Sequence, residues 1–148
     1  MNAVTSLSHR AIEGTRLLLL DVGLLLLRLG AGGLMAFGHG WGKLSGYSDL
    51  STKFPDVIGI GSGPTLMLAI GAEVVCAGAV VLGLFTRFAT LPLIGTMLVA
   101  AFVAHGSDTF DVKERALLYL VMYVALAFTG PGRFSLDALL FNRPRTKA

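Results

Sequence analysis

The sequence predicts an all-α integral membrane protein: a four-helix bundle with both termini cytoplasmic and a short interfacial C-terminal helix. Three observations carry that expectation. Hydrophobic residues make up 54% of the 148 positions and charged residues only 14%, too little polar material to clothe a soluble domain of this size. Four apolar stretches approach the roughly 20 helical residues needed to cross about 30 Å of hydrocarbon. Lysine and arginine are also distributed unevenly between the two sides of those stretches.

Taken in order, residues 1–16 read as a polar arm and residues 17–37 as the first span. Arg10 and Arg16 precede the apolar run as in a signal peptide. The run nevertheless contains Asp21 and Arg28, is long enough to span, and lacks a small-x-small cleavage site, so it is expected to be retained. Gly38-His39-Gly40-Trp41-Gly42-Lys43 is expected to close this helix, with Trp41 at the interface. The loop over 44–63 carries Tyr47, Phe54, Val57, Ile58 and Ile60. That is too apolar for a plain linker, so it is expected to fold back onto the bundle mouth.

Gly61-Ser62-Gly63-Pro64 turns the chain into a second span, 64–85. The third, 88–104, has Pro92 near its start, where proline is tolerated. The fourth, 110–130, has an apolar part of about 20 Å, short of the hydrocarbon thickness. If it spans, it carries Glu114 and Arg115 into the outer part of the bilayer, met by local thinning or by Arg115 snorkelling outward, with Glu114 expected to face protein. Gly130-Pro131-Gly132 ends it, Ser135 caps a brief amphipathic helix over 136–141, and 142–148 is a basic tail suited to anionic headgroups. One membrane domain, 17–141, is the economical architecture. Gly30, Gly33, Gly71 and Gly78 are expected at its helix contacts.

With four spans, Arg10, Arg16, Arg87, Arg133, Arg143, Arg145 and Lys147 share one side. Lys43, Lys53, Lys113 and Arg115 occupy the other. The richer side is assigned to the cytoplasm. The net charge of +3 then belongs to a membrane rim, and no nucleic-acid motif accompanies it. A single cysteine, Cys76, excludes an intrachain disulfide or a CxxC redox pair in this chain and reads as a small core hydrophobe.

Chemistry is expected where ionisable groups enter the apolar runs. Asp21, Arg28, Met35 and His39 fall on one narrow helical stripe, which should face inward. Arg28 would sit about 16 Å from the inner end of its span and Glu73 about 14 Å from the outer end of its own. In a core about 30 Å thick these depths coincide. Two readings of that pair stay open: a substrate, quinone-headgroup or proton site, or a buried bridge that only fixes helix register. His39, Lys43, His105, Asp108, Asp111 and Glu114 gather toward the outer mouth. His39, His105 and Glu114 are candidate proton carriers, although helix ends are also polar simply because they meet water. The histidines lack tight ligand spacing, so neither a metal nor a haem between His39 and His105 is expected. Tyr119 and Tyr123 share a face and read as packing.

Several segments together resemble one family. They are Arg28-Leu-Gly30, Phe37-Gly-His39-Gly40-Trp41-Gly-Lys43-Leu44, Gly71-Ala-Glu73 and Gly83-Leu-Phe-Thr-Arg87. After them come His105-Gly106, Glu114-Arg-Ala-Leu117 and Gly130-Pro-Gly-Arg133-Phe-Ser135-Leu-Asp137. In this order they are similar to DoxX-type membrane proteins, over about residues 24–140. The resemblance implies a four-helix protein of bacterial inner membranes. Some members are subunits of thiosulfate:quinone oxidoreductase or are named as terminal quinol oxidase subunits, and others are linked to oxidative-stress complexes. It carries polar positions over to Arg28, His39, Lys43, Glu73, His105 and Glu114.

The leading functional expectation is a small component of a quinone-linked redox system, an oxidoreductase subunit working with a redox partner. Arg28, Glu73 and Lys43 would hold a quinone head, and His39, His105 and Glu114 would relay protons outward. The first alternative is a non-catalytic scaffold or assembly subunit. The second is a small-molecule or proton transporter, for which four helices need a homo-oligomer to enclose a pore and no inverted repeat is visible.

Overall fold

Apolar residues with no turn signal between them keep the chain helical, and no strand occurs among the described residues. The computed structural model describes the backbone of residues 3–141 and the side chains of residues 12–141. The first rod is α1 (Ala3–Met35), a π-helical turn π1 (Ala36–Gly40) and α2 (Trp41–Ser45), with α3 (Tyr47–Leu50) following. The second comprises α4 (Ser62–Ile70), π2 (Gly71–Cys76) and α5 (Ala77–Leu82). The third is α6 (Thr86–Val99) with π3 (Ala100–Ala104), the fourth is α7 (Phe110–Thr129), and α8 (Leu136–Phe141) closes the described chain.

Three of these rods are long and apolar enough to cross a membrane: Ile12–Ser45, Ser62–Leu82 and Thr86–Ala104. The fourth, α7, has charges in its first turns and an uncharged remainder from Ala116 to Thr129. It packs along α6, and the rods follow one another around the bundle until α7 returns to α1. Phe37, Phe102 and Phe128 lie on the exterior, where a spanning bundle meets lipid. The core joins Ala31 and Met35 of α1 to Ala77 and Val80 of α5, Leu93 and Met97 of α6, and Tyr123 and Leu126 of α7.

Several expectations need correction. Helix already runs from Ala3, so most of the arm expected over 1–16 is the start of α1. The alternating glycines do not end the first helix at residue 37; helical backbone continues to Ser45. A glycine costs about 1 kcal/mol in a water-exposed helix, but in a membrane an unpaired backbone group costs several, so the helix persists. Close approach occurs at Gly32 and Gly40. A Cβ at Gly32 would meet Val81 Cγ2 at 2.7 Å, and one at Gly40 would meet the Glu73 carbonyl oxygen at 2.8 Å. The expected contact glycines, Gly30, Gly33, Gly71 and Gly78, have nothing within 4 Å of such a Cβ. Pro92 lies inside α6 rather than in its first turn, because that helix begins at Thr86. The basic tail over 142–148 lies outside the described residues.

The helix α3 packs on α4. The loop after it is tied to α4 through Asp56 and Thr65, while Ile58 and Ile60 stay exposed rather than folding onto the bundle mouth. Asp56 organises the loop, accepting from the amides of Gly59 (2.9 Å), Ile60 (3.0 Å) and Gly61 (2.8 Å) and from the Thr65 hydroxyl (3.0 Å).

Candidate functional site

The extension of the first helix decides which charges meet. Gly40 lies against Glu73 and Gly32 against Ala77 and Val81, so each step down the first rod meets a step along the antiparallel second. On that register Arg28 reaches the lower end of α5, where Nη1 donates to Val81 O at 3.4 Å and Nη2 donates to Phe134 O. Val81 is eight residues past Glu73, about 12 Å along the helix. The expected Arg28–Glu73 pair is therefore absent. The error lies in the assumed end of the first helix, which displaced Arg28 relative to the second span.

Glu73 pairs instead with Lys43, Nζ to Oε2, at 2.5 Å. The Glu73 side chain is 5% exposed and that of Lys43 24%. Glu73 lies near the middle of its rod, about 16 Å from Ser62. Lys43, two residues before the end of α2, reaches toward it. Such a pair withstands desolvation only with good geometry and support from neighbouring groups. Beside it, the His39 ring meets Tyr119 edge to face, with centroids 5.6 Å apart and an interplanar angle of 87°. Tyr119 stacks on Tyr123 at 6.1 Å and 19°. The Tyr123 hydroxyl donates to Ala31 O at 3.0 Å, fixing the innermost ring to α1.

His39 and Glu73 both lie within π-helical turns. These turns widen the helix, are rare, and occur often at functional positions. Here π1 and π2 pack on each other, so two irregular turns bring an imidazole, an ammonium and a carboxylate to one level. Lys43 follows His39 by four positions, and that spacing places both on one helix face.

The other candidates fall elsewhere. His105 ends π3 and engages Asp108 through Nδ1 at 2.8 Å, with both side chains nearly half exposed. Glu114 is exposed on α7 and does not face protein as expected. The expected funnel from His39 through His105 and Glu114 is thus not assembled; the line of contacts stops at Tyr119, His39 and Lys43. Among the described residues no group of three or more histidine, cysteine or acidic side chains has metal-binding geometry.

Arg28 belongs to a second polar cluster at the opposite end. Asp21 accepts from the Arg133 amide at 2.9 Å. Asp137 accepts from the amides of Phe85 (2.7 Å) and Thr86 (3.0 Å), and its own amide donates to Gly83 O at 2.8 Å. The Ser135 hydroxyl accepts from the Ala138 amide at 3.1 Å, as the sequence anticipated for a cap. Phe85, the residue before α6, has no capping side chain of its own, so Asp137 caps α6 from a distant part of the chain. The stripe of Asp21 and Arg28 therefore ties down the Gly130–Asp137 segment, which is a fold-closing role.

Sequence reasoning passed over Tyr119 and Tyr123 as site residues. The available signal was their four-residue spacing, which stacks two rings on one face of a helix that already carried Glu114 and Arg115 at its outer end.

Comparison with known proteins adds a family to this geometry. The family model described as DoxX matches residues 23–106. The inner membrane protein YqjF of Escherichia coli is 31% identical over 124 residues, covering 81% of this chain and 93% of that protein. Two Haemophilus influenzae proteins described as uncharacterized are 26% identical over 113 residues and 34% over 87. The first alignment covers 73% of this chain and 75% of the relative. The second covers 54% and 65%. No solved structure matches significantly.

Proposed function

This chain belongs to the DoxX family, and from that premise we propose that it is a small inner-membrane component of a quinone-linked redox system, binding a quinone head beside Lys43 and Glu73. One observation carries the reading: a buried mid-span carboxylate, Glu73, paired with the partly exposed Lys43 and flanked by an imidazole and two stacked phenol rings. A quinone head is a flat ring bearing carbonyl acceptors. Lys43 Nζ and the His39 ring supply donors, and the partly exposed Tyr119 ring supplies a stacking partner. A bound quinone would supply two-electron, two-proton chemistry, with the electrons delivered by a partner redox subunit.

The chain's own residues then have separate tasks. Glu73 fixes the position of the Lys43 side chain through their ion pair. Lys43 holds a carbonyl oxygen by a charge-assisted hydrogen bond. His39, an imidazole next to the more exposed end of the site, exchanges protons. Tyr123 anchors Tyr119, and Tyr119 fixes the His39 ring. Arg28 takes no part.

Titration of the full chain in nanodiscs with a short-chain quinone tests this reading. Trp41 is the chain's single tryptophan and lies two residues from both His39 and Lys43, so its emission reports binding. Saturable quenching is expected in the wild type, weakened about tenfold or more in Lys43→Met, the scale of one charge-assisted hydrogen bond. Identical titrations for the two proteins would reject the site.

A second reading, a non-catalytic scaffold subunit, is favoured by one feature: Lys43 and Glu73 already satisfy each other at 2.5 Å, as in a register lock. On that reading quinone does not quench Trp41 saturably in any variant, and Lys43→Met loses only stability.

A further inference from the structure

Away from the Lys43–Glu73 site, the turn between the second and third spans carries a pocket. Phe85, Phe88 and Phe141 form its apolar side, and Thr86, Arg87 and Asp137 its polar side. The spans Ser62–Leu82 and Thr86–Ala104 are joined by only Gly83, Leu84 and Phe85. The pocket therefore opens at the edge of the hydrocarbon, the depth occupied by lipid headgroups.

Its two charged side chains each engage backbone groups rather than each other. Arg87 is exposed and donates once among the described residues, from Nη2 to Phe128 O at 3.3 Å; the rest of its five-donor fork makes no hydrogen bond to them. Each Asp137 oxygen accepts one backbone amide, and each retains a further lone pair. The same pocket wall thus offers both a cation and an anion. Phe88 and Phe141 are largely exposed beside them, and the Phe85 and Phe141 rings lie 5.6 Å apart. The buried Thr86 hydroxyl has no hydrogen-bond partner among the described residues. Phe85 adopts φ 45°, a left-handed conformation rare for a bulky residue and found typically at ligand clamps or switches.

We propose that this pocket binds the headgroup of a glycerophospholipid carrying a primary amine, of the phosphatidylethanolamine class. The phosphate sits on Arg87, the ammonium donates to Asp137, and the acyl chains descend past Phe88 and Phe141. A phosphatidylcholine headgroup has no N–H to donate to Asp137, and phosphatidylglycerol presents no cation to it.

Native mass spectrometry of the full delipidated chain, titrated with short-chain versions of these three lipids, tests the assignment. Phosphatidylethanolamine is expected to bind about tenfold more tightly than either competitor, the scale of one charge-assisted hydrogen bond. Arg87→Gln is expected to weaken it by a similar factor. Equal retention of all three lipids by the wild type, meaning annular lipid only, overturns the proposal, as does an unchanged affinity in folded Arg87→Gln. The wild-type comparison involves no substitution, so it decides the matter even if loss of the Phe128 contact unfolds the variant.

Discussion

At the scale of residues, the central contact is an ion pair whose halves depend unequally on each other. Lys43 retains some exposure, whereas Glu73 is enclosed. Lys43→Met therefore strands a buried carboxylate and is expected to destabilise the bundle by about 3 kcal/mol, the low end of the range for breaking a buried pair. Adding Glu73→Leu removes the stranded charge, and the double variant should recover most of that loss in reversible unfolding. An additive double variant would show that the two groups do not interact. Glu73 was legible from the sequence as a costly charge in an apolar run; its partner was not. Partner choice depends on helix register to within a turn, and two helical ends read wrongly by several residues move a charge by more than the reach of its side chain. Asp56 offers a second residue-scale test, outside the spans. The Gly61 amide above all, with the Thr65 hydroxyl and the Ile60 and Gly59 amides, outweighs partial desolvation and holds its carboxyl below the ordinary carboxylate range. A depressed folded value means the staple is fully present above the unfolded value of about 3.9 and is lost as pH falls through the folded one. The amide resonances of Gly59, Ile60 and Gly61 should accordingly stay constant from neutral pH to about pH 4 and shift only below it. Asp56→Asn should abolish that transition.

At the scale of elements, glycines separate contacts that pattern alone confuses. Gly83 has φ +69°, and a Cβ there would collide with the Arg28 guanidinium and stand 2.5 Å from Ser135 Cβ. Gly83→Ala should break the closure formed by Asp21, Arg28 and Asp137, costing upwards of about 2 kcal/mol from strain and a lost buried contact together. Gly30→Ala meets nothing within 4 Å and should leave stability unchanged or slightly raised. A thermal-unfolding comparison of the two checks this contrast, and a similar effect from both would contradict the assigned packing. The spans themselves were readable because apolar runs of membrane length have few alternatives. The continuation through Gly38, Gly40 and Gly42 was not, since such a run ends helices in water yet survives where backbone groups cannot be left unpaired. Nor was the role of Asp137: an acid six residues after Pro131 looks like surface until folding brings it to the amides of Phe85 and Thr86, and no local pattern records a cap supplied from another element.

At the scale of the whole molecule, the bundle separates two polar regions along its axis. One end is closed by the Gly130–Asp137 segment held by Asp21 and Arg28. The middle holds Lys43, Glu73 and His39 beneath the loop organised by Asp56. That separation means the closure can be kept intact while the mid-span site is altered, which is what a test of function requires. The lysine and arginine asymmetry predicts a cytoplasmic closed end. In a Cys76→Ala background, a cysteine at the exposed position Thr52 should therefore react with an impermeant thiol reagent added from outside; protection until the membrane is broken would invert the orientation. The most direct test of the central claim is a double-mutant cycle on quinone binding, read from Trp41 emission in wild type, Lys43→Met, Glu73→Gln and the pair. A site built on one coupled ion pair predicts that the double variant binds about as weakly as the worse single one, a coupling of about 1.5 kcal/mol or more. Losses that simply add, or titrations that match the wild type, would contradict it.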